Sequence, residues 1–189
     1  MDWSMPLRRW PLLAALVFQA GLIPLALGLA LLLGLSPWAE LRPVVPGVIG
    51  GIAATLPLLL VWILCARQAW FRGIEELVRP LIERLFRDAG PPAIVAVAAL
   101  AGLGEELLFR GVLQAAWVDA FGHPAGIALA SLAFGLAHAL TRVYFAMATI
   151  MGLYLGLLYA FTDNLLLVTV VHGLYDAVAI AWLLRTAPR

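Results

Sequence analysis

Residues 91–118 read PPAIVAVAALAGLGEELLFRGVLQAAWV. The run is long and apolar enough to cross a hydrocarbon core, which takes about 20 helical residues. Yet Glu105, Glu106 and Arg110 lie well inside it. A charged side chain near the bilayer centre costs about 2.5–3.5 kcal/mol on insertion scales, so three of them in one span require a reason.

Outward from this run, apolar stretches recur near residues 11–35, 47–66, 125–140, 143–161 and 164–185. With the first they make six spans, the fourth short. The chain of 189 residues is 64% hydrophobic and only 12% charged, which excludes a water-soluble globule. The fold expected is therefore an all-α polytopic membrane bundle of about six transmembrane helices. Its connections are short except between Arg67 and Gly90. Residues 1–90 are expected to form an N-terminal two-span region and residues 91–189 the core that carries the charged residues within its spans, the two integrated in one membrane domain.

Between Trp70 and Arg87 the apolar residues Trp70, Phe71, Ile74, Leu77, Val78, Leu81, Ile82, Leu85 and Phe86 recur at helical spacing, opposite Arg72, Glu75, Glu76, Arg79, Glu83 and Arg84. This pattern predicts an amphipathic helix in the cytoplasmic interface, bent near Pro80. Arg8, Arg9, Arg67, Arg72, Arg79, Arg84, Arg87, Arg142, Arg185 and Arg189 all fall on one side of a six-span path, with Arg42 opposite. The positive-inside bias puts both termini in the cytoplasm. The first stretch, about 25 residues long and followed by five more spans, reads as an anchor rather than a cleaved signal. Gly21, Gly28, Gly34, Gly47, Gly50 and Gly51 in the first two spans read as sites of close helix packing.

Several function classes drop out. The basic residues are all arginine and scattered, so no basic face exists for nucleic acid. The lone Cys65 has no disulfide or thiolate-metal partner and reads as a small buried hydrophobe. No serine nucleophile motif is present, Ser131 lying in a plain apolar run, and there is no His-Glu-x-x-His zinc helix. The paired repeats with broken helices expected of a transporter are also missing.

Three helix-spaced pairs remain. Glu106 and Arg110 are four apart with the acid N-terminal, the better orientation for an ion pair. Glu105 is rotated about 100° from Glu106, so the two carboxylates cannot meet Arg110 equally; one can pair while the other faces a cavity. Such a carboxylate, held away from water, is a stronger proton acceptor. Gly102, Gly104 and Gly111 are expected to keep the nearby helix surface open to water or a peptide. Phe134 and His138 share a face of the fourth span, and His172 and Asp176 share one of the sixth. In hydrocarbon these groups are driven to converge, because each would otherwise stay unsatisfied. Glu106 with Arg110 also reads as a helix-to-helix clamp, and His172 with Asp176 as a buried hydrogen-bonded pair. His123 reads as a structural loop residue, and Asp119 and Asp163 as solvated span ends.

The order Glu105-Glu106…Arg110, Phe134…His138, His172…Asp176 resembles the CPBP family, the CAAX-protease and bacteriocin-processing group of intramembrane glutamic endopeptidases related to eukaryotic Rce1-type CAAX proteases. The resemblance covers roughly residues 91–180. It implies that Glu105 activates the attacking water with His138, that His172 and Asp176 stabilise the oxyanion, and that Glu106, Arg110 and Phe134 support the site. Some relatives carry asparagine where this chain has Asp176; an aspartate donates a hydrogen bond only when protonated, so it can instead orient His172.

The function expected is hydrolysis of a peptide bond in a membrane-associated substrate, with C-terminal sorting or CAAX-like segments as candidates, without metal or cofactor. Two histidines and a glutamate could in principle ligate a metal, which keeps a metal-dependent protease as an alternative, beside a non-enzymatic immunity or assembly factor. The expected partners are a peptide or protein substrate and the lipid bilayer, and the expected location is a prokaryotic inner membrane.

Overall fold

The computed structural model describes residues 5–186. Arg189, counted in the charge bias, lies outside the described residues, as do the side chains of Arg8 and Arg9. Seven helices follow in order: α1 (Met5–Leu33), α2 (Val44–Cys65), α3 (Ala69–Phe86), α4 (Pro91–Phe121), α5 (His123–Ala137), α6 (Arg142–Thr162) and α7 (Leu165–Arg185). A short 3-10 turn, Pro37–Leu41, joins α1 to α2. No strand occurs among the described residues. Five helices, α1, α2, α4, α6 and α7, are long and apolar enough to cross a membrane. The fourth apolar stretch forms only the 15 residues of α5. At 1.5 Å per residue that is about 22 Å, short of a core about 30 Å thick. The protein is thus a polytopic all-α membrane bundle with one short helix.

Lipid tails are as apolar as leucine, so these helices associate through close packing and interhelical hydrogen bonds. α4 lies between α1 and α7, α2 packs on α7, and α5 packs on α6. Where α4 meets α7, a Cβ on Gly102 would sit 2.7 Å from the Thr169 carbonyl oxygen and 2.9 Å from the Gly173 nitrogen. Gly102 is therefore a contact between backbones, as is Gly104 against the Gln19 carbonyl of α1, while Gly111 packs against the ring of Pro37. The expectation that these three glycines leave an open surface is corrected: neighbouring chain fills the space. Of the glycines in the first two spans, Gly47, Gly50 and Gly51 do meet α7 or the Asn164 that begins it, whereas Gly21, Gly28 and Gly34 have nothing within 4 Å of an added Cβ. Gly34 has a different use, ending α1 with φ +69°, a conformation that disfavours other residues.

Polar side chains fasten the remaining joints. Tyr154 of α6 donates to the Ala54 carbonyl of α2 at 2.7 Å. Asn164 accepts from the Leu167 N–H as the N-cap of α7 and donates to the Pro43 carbonyl. α3 runs unbroken through Pro80, burying Phe71, Ile74 and Phe86 while Arg72, Glu76 and Arg84 stay exposed. Its Arg79 donates to the Leu183 carbonyl near the C-terminus of α7, where a cation is favoured by the helix dipole.

Candidate active site

α4 changes its winding at the functional motif. Glu105 and Glu106 end the α-helical part, and Leu107–Gln114 form a π-helical segment, a wider turn that recurs at functional sites. From this segment Arg110 donates through Nη1 to Glu106 Oε1 at 2.8 Å and through Nη2 to the Gly152 carbonyl at 2.9 Å. Gln114 repeats the move four residues on, donating to the Gly156 carbonyl at 3.0 Å. Two glycines on α6, which lack side chains that would screen their carbonyls, thus receive two side chains from α4.

Glu106 has a second partner that helical spacing within α4 does not reveal. His172 Nδ1 of α7 lies 2.7 Å from the same Oε1, and since a carboxylate there accepts, the imidazole donates. Arg110, Glu106 and His172 are buried at 1%, 0% and 3% exposure, so the shared carboxylate joins α4 to α7 in the interior and Arg110 carries the link on to α6. The assignment of Glu106 to a clamp with Arg110 alone is therefore incomplete.

Glu105 turns the other way and lines a cavity of about 350 Å³ with Phe134, His138, Tyr144, His172, Tyr175 and Asp176. Its Oε1 accepts from Gln19 Nε2 of α1 at 3.0 Å. Its Oε2 is buried without a hydrogen-bond partner among the described residues. That oxygen faces His138 Nε2 at 3.5 Å and His172 Nε2 at 3.9 Å, and Asp176 Oδ2 lies 3.5 Å from the same His172 nitrogen. These separations exceed a good hydrogen bond, so polar atoms surround a gap rather than saturate one another.

His138 is the residue that caps α5, at φ −107° and ψ 13°, close to the sparsely populated bridge region where many active-site residues sit. Its Nδ1 donates to the Phe134 carbonyl at 2.8 Å, which aims Nε2 at Glu105. Phe134 itself packs against the His138 ring at 4.4 Å between centroids and meets His172 edge-on at 5.7 Å. The Arg110 guanidinium lies 4.7 Å from the centre of the Phe134 ring. One aromatic ring thus holds two imidazoles and the guanidinium in register.

The structure brings Glu105, His138, His172, Asp176, Glu106, Arg110 and Phe134 to one place from α4, α5 with its cap, and α7. It does not bring His123, Asp119 or Asp163, which are exposed. Ser131 is buried with its hydroxyl donated to the Ile127 carbonyl of its own helix. Cys65 lines the cavity wall, partly buried. No group of three or more His, Cys, Asp or Glu side chains among the described residues is disposed to hold a metal ion. Sequence reasoning missed Gln19, Tyr144 and Tyr175. Only Gln19 left a signal, as the one polar side chain between Trp10 and Leu33.

Residues 88–178, which contain all seven motif residues, match the family described as type II CAAX prenyl endopeptidase, Rce1-like. A curated protein of Bacillus subtilis (strain 168), "Uncharacterized protein YpbD", is 34% identical over 99 residues, 51% of this chain. The match spans about half of that relative, 48% of its length. No solved structure matches. Residues 88–178 therefore match the Rce1-like domain of type II CAAX prenyl endopeptidases.

Proposed function

We propose that the protein is an intramembrane endopeptidase that hydrolyses a peptide bond with a water activated by Glu105. The observation that carries this reading is the unpartnered Oε2 of Glu105, buried and facing two imidazole Nε2 atoms across the cavity. A base that has spent its lone pairs on fixed donors could not take a proton from water; this oxygen has not.

In the proposed reaction a water binds between Glu105 Oε2 and His138 Nε2. Glu105 takes its proton as the water oxygen bonds to the scissile carbonyl carbon, and the π electrons move onto the carbonyl oxygen. His172, with Nδ1–H given to Glu106, presents Nε2–H to that oxyanion in its imidazolium form, and Asp176 beside it orients the ring. Glu105 then returns its proton to the departing amide nitrogen, the C–N bond breaks, and a carboxylic acid and an amine result. Glu106, Arg110 and Phe134 keep the imidazoles in place.

The proposed partner is a peptide segment in or at the bilayer, with C-terminal sorting or CAAX-like segments as the candidates. The cavity favours apolar side chains, since Leu58, Val61, Trp62, Met147 and Met151 form much of its wall. In this reading the arginine bias supports cytoplasmic termini, and the lysine-free basic set with short loops supports a prokaryotic cell membrane. Residues 1–90 are its N-terminal two-span region with the interfacial helix and residues 91–189 its catalytic core, within one domain.

Mass spectrometry of membrane and secreted peptides tests this directly. Cells with the wild-type chain should contain peptides with new termini that are lacking in cells with Glu105→Gln. Identical peptide sets would reject the protease reading. Cleavage by purified protein should survive a chelator; loss restored by added metal would replace this mechanism with a metal-dependent one.

A further inference from the structure

Gln19 lies outside the family match, on α1, and is the one polar side chain in the 24-residue apolar stretch Trp10–Leu33. An amide at that depth is costly unless it is hydrogen-bonded. Its Nε2 lies 3.0 Å from Glu105 Oε1. The amide orientation is dictated by chemistry: the reverse would set its oxygen against a carboxylate oxygen. A second, independent feature seats it. A Cβ on Gly104 would lie 2.8 Å from the Gln19 carbonyl oxygen, so α1 and α4 are pressed together at this level, next to Glu105.

Resting on the function proposed above, we infer that Gln19 is a positioning residue of the active site: it holds Oε1 of Glu105 by a charge-assisted hydrogen bond and so fixes Oε2 toward His138 and His172. A carboxylate on a helix turns about its terminal torsion at little cost, and no other side-chain donor among the described residues hydrogen-bonds to Glu105. Without Gln19 either oxygen can swing toward the imidazoles and close the gap that water must occupy. Gln19 Oε1 is also buried, on the cavity wall, and unpartnered among the described residues, which leaves it free to accept from substrate or water. The first span is then part of the active site and not only an anchor, and residues 91–189 alone lack one of its contacts.

The test replaces Gln19 by Met, which keeps length and apolar packing but removes the donor; Gln19→Leu serves the same purpose should the Met variant fold poorly. Two readouts are taken on full-length protein in lipid vesicles. The first is the Glu105 carboxylate stretch, isolated by subtracting the spectrum of Glu105→Gln from that of protein carrying isotope-labelled glutamate. The second is kcat and KM for cleavage of a membrane peptide. The expected result is a shifted Glu105 band and a fall in kcat of about ten-fold, the scale of one hydrogen bond to a charged group, with KM within two-fold. An unmoved band overturns the inference whatever the cleavage rate, and so does a moved band with unchanged kcat. A moved band in a protein whose wild type cuts nothing leaves the contact standing and rejects the protease reading instead.

Discussion

His172 and Glu106, 66 residues apart in sequence, meet through a 2.7 Å hydrogen bond from Nδ1 to Oε1, and that same oxygen accepts from Arg110 at 2.8 Å. Two donors from two helices therefore depend on one carboxylate oxygen. Both adjacent glutamates keep an Oε2 without a hydrogen-bond partner among the described residues, but Glu106 is fully enclosed, its Oε1 taken by two donors, while Glu105 lines the cavity.

Removing the Glu106 charge should cost stability more than it costs any other acidic position. Glu106→Leu strands a guanidinium that is 1% exposed, and breaking such a buried pair costs about 3–5 kcal/mol. The double variant Glu106→Leu with Arg110→Met should recover a large part of that loss. Thermal unfolding in detergent measures both, and strictly additive effects would show that the pair is not coupled.

Glycine substitutions should separate by position. Gly102→Ala forces α4 away from α7, since its Cβ would lie 2.7 Å from the Thr169 oxygen, so the unfolding midpoint and cleavage should both drop. Gly28→Ala meets nothing within 4 Å and should be neutral or stabilising by up to about 1 kcal/mol through lower backbone entropy in the unfolded chain. Equal effects at the two sites would refute the packing assigned to α4 and α7.

Outside the spans, Glu40 of the turn Pro37–Leu41 should give a measurable pH dependence. Burial, and then the Asp163 carboxylate, push its carboxyl above the ordinary value of 4.5. A raised folded-state value means that the folded protein binds the proton more tightly, so stability should rise as pH falls from neutral toward 4.5. Glu40→Gln should flatten that rise, and Asp163→Asn should reduce it. The unfolding midpoint of each variant against pH checks the sign; a slope unchanged in Glu40→Gln would assign it to another group.

Much of this was legible from composition and spacing, for physical reasons that also explain the misses. Apolar runs declare spans because the bilayer demands unbroken helices, and i, i+4 pairs declare shared faces. Glu106 with Arg110 is such a pair, found at 2.8 Å. Contacts between spans leave no such periodic trace. Nothing local couples Gln19 to Glu105 or Glu106 to His172, and the π-helical winding of Leu107–Gln114 is not announced by its residues. The glycines at 102, 104 and 111 differ from expectation because a residue without a side chain looks the same in sequence whether its space is filled by a neighbouring element or left open. The shortness of α5 was visible, but not that His138 would follow it as a cap in near-bridge geometry.

The central claim is that Glu105 activates water, and the most direct test is cleavage by purified wild-type and Glu105→Gln protein in lipid vesicles, with unfolding midpoints measured in parallel. The account predicts a rate lower by about 10²–10⁴-fold, the range for loss of a general base, at a nearly unchanged midpoint. Cleavage by Glu105→Gln within three-fold of wild type (roughly 0.6 kcal/mol in barrier) would contradict it.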